Sequence, residues 1–352
     1  MRAFPVIAPV VAVLAWIAVV ALPGPVSLWI AVLGLVLAVI AAVHHAEIIA
    51  LRVGEPYGTL VLALAMTTIE AALVLSLMLM KGPGSASLAR DTVYAAIMTI
   101  CSGVLGVCLF WGGLKHREQV FRVDGATSAL AALVALAGLT LVLPNHTTSS
   151  PGATYSPAQL AVVALLSFVL WAVFVMIQTG RHREYFLSSP EVDGEHDRRP
   201  SSRESWTSTI AMVVGLVAVV LLAKAMSKPV EGFVESIGAP RTLVGVLISF
   251  LVLLPETGAS IRAALANRLQ TSMNLAMGSA PASIGLTIPV VAVASLGLRL
   301  PLELGLGPKE TILLTLTFIV NGLTLGLGRS NILLGAVHLI LFAVFLLTSF
   351  LP

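Results

Sequence analysis

The sequence predicts an all-α, polytopic membrane protein of about eleven transmembrane helices, two inverted five-helix repeats behind one N-terminal helix. Three observations lead there. Of 352 residues, 58% are hydrophobic and 11% charged, with a mean hydropathy of +1.00, whereas a soluble domain carries about a quarter charged residues. Apolar runs close to the ~20 residues that cross a hydrocarbon core recur from end to end. One polar stretch, 181–206, divides the chain nearly in half.

Gly, Pro and polar punctuation separates the runs into helices expected near 6–22, 28–43, 57–80, 91–114, 126–143, 158–179, 207–226, 241–264, 271–297, 309–327 and 330–350. Solid runs exclude a β-barrel, which alternates, and lipid cannot satisfy the backbone of an open sheet. The first run, behind Arg2, imitates a signal peptide, but ten further spans favour an uncleaved helix. The expected segments are therefore an N-terminal helix (1–27), a first repeat (28–180), a hydrophilic cytoplasmic loop (181–206) and a second repeat (207–352). The loop holds five Arg and six carboxylates and no apolar run.

Several functions are excluded early. Cys101 and Cys108 lie seven apart on one helical face, which reads as two small buried hydrophobes and not a disulfide. Metalloprotease, P-loop and Gly-x-Ser-x-Gly signatures are absent, so neither an enzyme nor a nucleotide-driven pump is expected, and no cofactor. The net charge of +3 resides in loops, where it orients a protein in the lipid bilayer instead of binding nucleic acid.

Faint symmetry supports the repeat. Glu47 precedes Gly54-Glu55-Pro56 as Glu231 precedes Gly238-Ala239-Pro240, with seven residues from Glu to Gly in both. An apolar helix with a single deep carboxylate follows each, Glu70 and Glu256. In the next helix, Thr92, Met98 and Gly106 match Thr271, Met277 and Gly285 at a constant offset of 179. An odd number of spans per repeat inverts the second copy.

Of seventeen acidic residues, only Glu70 and Glu256 lie deep in apolar segments. A charge there costs at least ~2.5–3.5 kcal/mol, and an intramembrane ionisable residue is by default functional. Carboxylates at matching positions of two inverted halves would meet near the midplane, where such transporters bind substrate and coupling ion. Low dielectric disfavours the charged form of any carboxylate, and a second carboxylate nearby disfavours it further. A proton or a cation can supply the missing positive charge, so the two compete for one site. That is the minimal device for antiport. Without a thiolate or imidazole beside either Glu, the cation is a hard, oxygen-binding one. Thr67, Thr68, Thr99, Ser102, Asn274, Ser279 and Ser283, on the same four helices, offer neutral oxygens. Any one of these hydroxyls can equally be a small residue packing between helices. Pro255 is expected to kink or open its helix, freeing carbonyls beside Glu256.

The stretches GEPYGTLVLALAMTTIEAALVLSLML, RDTVYAAIMTICSGVLG, GGLKHREQVF, LTLVLPNHTTSSPGATYS, PETGASIRAALANRLQTSMNLAMGSAPASIGLTIP and GRSNILLGAVHLILFA resemble the bacterial ChaA-type calcium/proton antiporters, in the CAX branch of the cation/calcium exchanger superfamily. The resemblance covers nearly all of the chain after residue 45. It implies alternating-access exchange of a cation for protons, calcium first and sodium or potassium second, in a bacterial inner membrane. It assigns the essential acids of the two repeats to Glu70 in MTTIE and Glu256 in VLLPE, and polar groups of the next helices to the region Thr99–Ser102 and to Ser279. The chain departs from the pattern: Thr67 and Leu253 stand at the motif Asn positions, and Ser279-Ala280 replaces a common Ser-Ser. With fewer side-chain ligands, monovalent exchange becomes easier. A cation channel, or an intramembrane enzyme, is the alternative reading; a channel leaks without coupling, and an enzyme needs a constellation the chain lacks.

His338, alone in the last span, reads as a helix-packing residue, and His44, His45 and Glu47 as an interfacial group at a helix end. Gly322 and Gly326 have the GxxxG spacing of close helix packing, a spacing that also arises by chance.

Alternating the loops between sides puts thirteen positive residues on one side (Arg2, Arg52, Lys115, Arg117, Arg122, the five loop Arg, Arg262, Arg268 and Arg329) and seven on the other. Positive residues accumulate in the cytoplasm. Residues 181–206 should therefore face the cytoplasm and Pro352 the opposite side. Cysteine labelling from each side of the membrane checks this, and a tag at Pro352 reachable only from the cytoplasm would overturn it.

Overall fold

The computed structural model describes residues 4–21, 25–54, 57–79, 85–186, 200–236, 240 and 242–351. Among these are eleven helices in the expected order: α1 Phe4–Ala21, α2 Pro25–Val53, α3 Tyr57–Met78, α4 Leu88–His116, α5 Val123–His146, α6 Pro157–Arg181, α7 Ser202–Ser236, α8 Thr242–Leu265, α9 Leu269–Leu298, α10 Pro308–Gly326 and α11 Ile332–Phe350. Eight of them have an apolar stretch long enough to span a bilayer by length and composition. Several sequence landmarks lie outside the described residues: Arg2, Glu55, Pro56, Gly238, Ala239, Pro352 and most of the polar loop.

Two helices outrun their apolar runs. The run in α2 was expected to end at 43, yet the helix continues to Val53, and α7 continues from the expected 226 to Ser236. Backbone hydrogen bonding needs no apolar side chain, so hydropathy marks the membrane-compatible part of a helix and not its end. As a result His44, His45 and Glu47 are not at a helix end but inside α2, with His45 buried and His44 3.9 Å from Glu47. The polar loop likewise shortens, because α6 runs into it and α7 begins at Ser202.

The contacts exchange when the halves are swapped. The Glu70 helix α3 packs on α9, and the Glu256 helix α8 packs on α4. The last helix of each half embraces the same third helix of the other, α6 on α9 and α11 on α4. The long helices α2 and α7 pack on each other, with α1 laid against both. Small residues allow it: Ala38, Ala42 and Ala218 are fully buried, and a Cβ on Gly215 would sit 3.3 Å from Ala42. This is the contact pattern of a two-fold related pair of five-helix units.

Helix α4 is the axis of the bundle, 89% buried along its apolar stretch against 28% for α6. Glycines let α11 lie almost on its backbone. A Cβ on Gly106 would sit 3.0 Å from the Leu339 nitrogen, one on Gly113 3.0 Å from the Ile332 nitrogen, and one on Gly335 would strike the Phe110 backbone. The expected GxxxG pair does not play this role: nothing lies within 4 Å of a Cβ at Gly322 or Gly326.

The loops gather the charges into two groups. At one end Arg52 bonds the Pro200 carbonyl, Lys115 the Leu265 carbonyl, and Arg329 pairs with Glu118 beside the two-stranded ladder of Gln119–Val120 and Arg329–Ser330. At the other, Arg90 spans Asp91 at 2.8 Å and Glu303 at 2.9 Å, and Asn145 bonds Leu306. The sequence had left Asp91 at a span end; it is buried against this arginine. The α4–α11 contact predicts that Gly335→Val costs roughly 1–3 kcal/mol by overpacking. Thermal unfolding in detergent should show a lowered midpoint; an unchanged midpoint would mean that α11 does not seat so closely.

Candidate exchange site

Glu70 lies in the middle of α3 and is 5% exposed. Its Oε2 accepts a hydrogen bond from the Ser283 hydroxyl of α9. Its Oε1 is buried without a hydrogen-bond partner, as is the Oγ1 of Thr287, one turn beyond Ser283 and also against the Glu70 carboxyl. Thr67, one turn before Glu70, is buried on the same helical face. Thr68 turns away: it is exposed and bonds its own helix at the Leu64 carbonyl.

Glu256 lies in α8, partly buried, with the Ser279 hydroxyl of α9 in interaction range and Glu70 close enough to be felt electrostatically. Ser279 also reaches the Ala276 carbonyl at 3.2 Å. Helix α9 thus presents Ser279 to one carboxylate and Ser283 with Thr287 to the other. The two carboxylates come from different halves, and each is partnered by hydroxyls of the same helix.

Parallel registration sets the third wall. Ser249 of α8 donates to the Thr92 carbonyl of α4 at 2.6 Å, and near the other end Lys115 and Gln119 hold the α8 carbonyls of Leu265 and Ala264 at 2.9 Å. Glu256 lies seven residues beyond Ser249, and Thr99 seven beyond Thr92. Thr99 and Ser102 lie in a π-helical turn, Thr99–Val104, that contacts both α8 and α9. Both are buried, and neither hydroxyl has a hydrogen-bond partner. Two further π turns lie toward the ends of α5, at Gly138–Val142, and α6, at Ile177–Arg181, so the turn in α4 differs from them in carrying two buried, unpartnered hydroxyls.

Two expectations change. Helix α8 is not opened at Pro255; it runs on as one α-helix. The proline withholds only the N–H that Leu251 would have received. Asn274 is not brought to the carboxylates: its amide donates to the Phe186 carbonyl and accepts from Gln270 at 2.9 Å. Thr287 was missed, although its spacing of four from Ser283 was there to be read. Among the described residues, no three His, Cys, Asp or Glu side chains gather as a metal cluster, which leaves two carboxylates and several hydroxyls, a donor set for a hard cation.

A helical membrane bundle in which one deep carboxylate from each half is partnered by hydroxyls of the same helix has the form of a secondary transporter. The chain belongs to the sodium/calcium exchanger protein family, whose model matches residues 6–180 and 207–351. It is 49% identical over 315 residues to the putative ionic transporter y4hA of Sinorhizobium fredii, covering 90% of this chain and 86% of that protein. It is 35% identical over 352 residues to the sodium-potassium/proton antiporter ChaA of Escherichia coli, covering 99% and 95%. Its fold is shared with the crystal structure of the Ca2+/H+ antiporter protein YfkE, with a TM-score of 0.75 at 15% identity, over 99% of this chain and 98% of that one. The family resemblance read from the sequence therefore stands, and the chain is a multi-pass membrane protein of a transporter family, not an enzyme.

Proposed function

We propose that this protein is a secondary active antiporter that exchanges an inorganic cation for protons by alternating access at Glu70 and Glu256. The observation that carries the reading is the placement of two carboxylates in apolar helices, one from each half, both partnered by hydroxyls of α9 and with Glu70 near enough to act electrostatically on Glu256. A pair of this kind is costly when both members are charged and unaccompanied. Protons relieve the cost, and so does a cation, but one excludes the other. Net charge then allows the loaded site to change sides in either state, while the empty, doubly charged site is held back.

Calcium is the first choice, because two carboxylates match its charge and hydroxyls complete an oxygen shell. Sodium or potassium is the second, and a specific observation favours it: Thr67 and Leu253 stand where the family pattern has amides, and a full-length relative carries the name sodium-potassium/proton antiporter. Thr99, Ser102, Ser279, Ser283 and Thr287 serve as neutral ligands or as holders of water on the cation. The Arg52 end of the bundle faces the cytoplasm of a bacterial inner membrane, in keeping with its larger share of positive residues.

Replacing either glutamate with Gln keeps size and hydrogen bonding but removes the exchangeable proton. Glu70→Gln and Glu256→Gln should each abolish coupled exchange in proteoliposomes while the protein remains inserted and folded. In the wild type, apparent cation affinity should fall as pH drops, because protons occupy the same oxygens, and neither variant should keep that dependence. Near wild-type exchange in both variants would sink the shared-site mechanism; loss in one alone would mean that the other carboxylate is structural.

A further inference from the structure

The π turn of α4 does not hold itself. Its Cys101 carbonyl takes two donors from the outer helices: Asn321 Nδ2 of α10 at 3.0 Å and His338 Nδ1 of α11 at 2.8 Å. A carbonyl only accepts, so Nδ1 of His338 carries the hydrogen, and in the neutral ring Nε2 accepts from the Thr324 hydroxyl at 3.0 Å. Asn321 also donates to the Thr317 carbonyl at 2.8 Å, and the Thr317 hydroxyl meets the Met98 sulfur at 3.6 Å. Thr317, Asn321, Thr324 and His338 are all 0% exposed.

A simple packing histidine would not need this arrangement. Gly106 is what admits it, since a Cβ there would sit 3.1 Å from His338 Cβ. The same turn carries two unpartnered hydroxyls, Thr99 and Ser102, and besides the outer helices it packs on α8, which bears Glu256, and on α9. A π turn rotates every later side chain of its helix relative to the earlier ones, so whatever fixes the turn fixes where those hydroxyls point.

We infer that His338 and Asn321, with Thr324 behind the histidine, are positioning residues of the exchange site: by holding the Cys101 carbonyl they set the Thr99 and Ser102 hydroxyls that select and bind the cation. This rests on the proposed site at Glu70 and Glu256. The three residues touch neither carboxylate nor cation. Their effect passes through the π turn, as groups that hold metal ligands elsewhere act through those ligands.

The test uses the full-length protein, purified in detergent and in proteoliposomes. Equilibrium binding of calcium, sodium and potassium is measured beside proton-coupled flux for the wild type, His338→Leu, His338→Asn, Asn321→Leu and Thr324→Val. His338→Leu and Asn321→Leu should weaken cation binding by about tenfold or more and alter the preference between calcium and the monovalent ions. His338→Asn, whose amide N–H takes the place of Nδ1–H, should recover most of the affinity. Thr324→Val is isosteric and keeps the fold testable should the leucine variants fail to insert; it should show a smaller shift of the same sign. A merely structural histidine would lower yield and thermal midpoint and leave affinity and preference unmoved in every folded variant, and that result overturns the inference. Absence of cation binding by the wild type overturns it too. Wild-type binding without proton-coupled flux would instead remove the antiport reading alone, with the positioning role still judged by the variants' affinities.

Discussion

The fold is organised around one expense: a carboxylate in hydrocarbon, disfavoured by ~2.5–3.5 kcal/mol or more at the bilayer centre, must be met by polar groups that its own helix cannot supply. Glu70 takes its hydroxyl from Ser283, and Glu256 looks to Ser279, both on α9. Glu70 therefore depends on the other half of the chain, whereas Glu256 finds its hydroxyl in its own half. The α3–α9 contact that crosses the halves is what Glu70 requires; α8 packs on α4 in the matching way, and the last helix of each half covers the third helix of the other.

Packing and polarity divide the labour. Where backbones must come close, the chain has glycine or alanine, as at Gly106, Gly113 and Gly335 between α4 and α11. Some buried polar groups are bonded across helices, as Ser249 to the Thr92 carbonyl, and others keep spare capacity, among them Thr287 and Glu70 Oε1 at the candidate site and Thr99 and Ser102 in the π turn. Unmet donors and acceptors are costly in a dry interior. Irregular backbone follows the same rule, since a π turn is tolerable at membrane depth because α8 to α11 surround it.

Much of this was legible in the sequence because hydropathy reports on lipid directly. Helix number, order and the unusual depth of Glu70 and Glu256 followed from apolar runs alone. The symmetry of the halves was visible in Gly54 and Gly238 and in the offset of 179, since each repeat meets the same requirement. Hydropathy is silent once a helix leaves the apolar run, so the ends of α2 and α7 were read short and His45 was placed at a helix end instead of inside the helix. Proline suggested an opening at Pro255, yet its effect was absorbed in one continuous helix, while the irregular turn arose at Thr99–Val104, where no proline stands. Asn274 and Thr287 show a further limit: both are polar residues on α9, and only the azimuth set by α3 and by the Phe186 region decides which faces a carboxylate. The link from His338 and Asn321 to Cys101 joins residues more than two hundred apart, which no local pattern can announce.

The central claim is that proton and cation occupy one carboxylate pair in turn. Proton release on cation binding tests it most directly, with purified protein in weakly buffered detergent near neutral pH and a pH-sensitive dye following each addition of calcium, sodium or potassium. The account predicts protons released in step with saturation by the transported cation, with the release lost when both Glu70 and Glu256 are replaced by Gln. Saturable cation binding that releases no protons at any pH would contradict it.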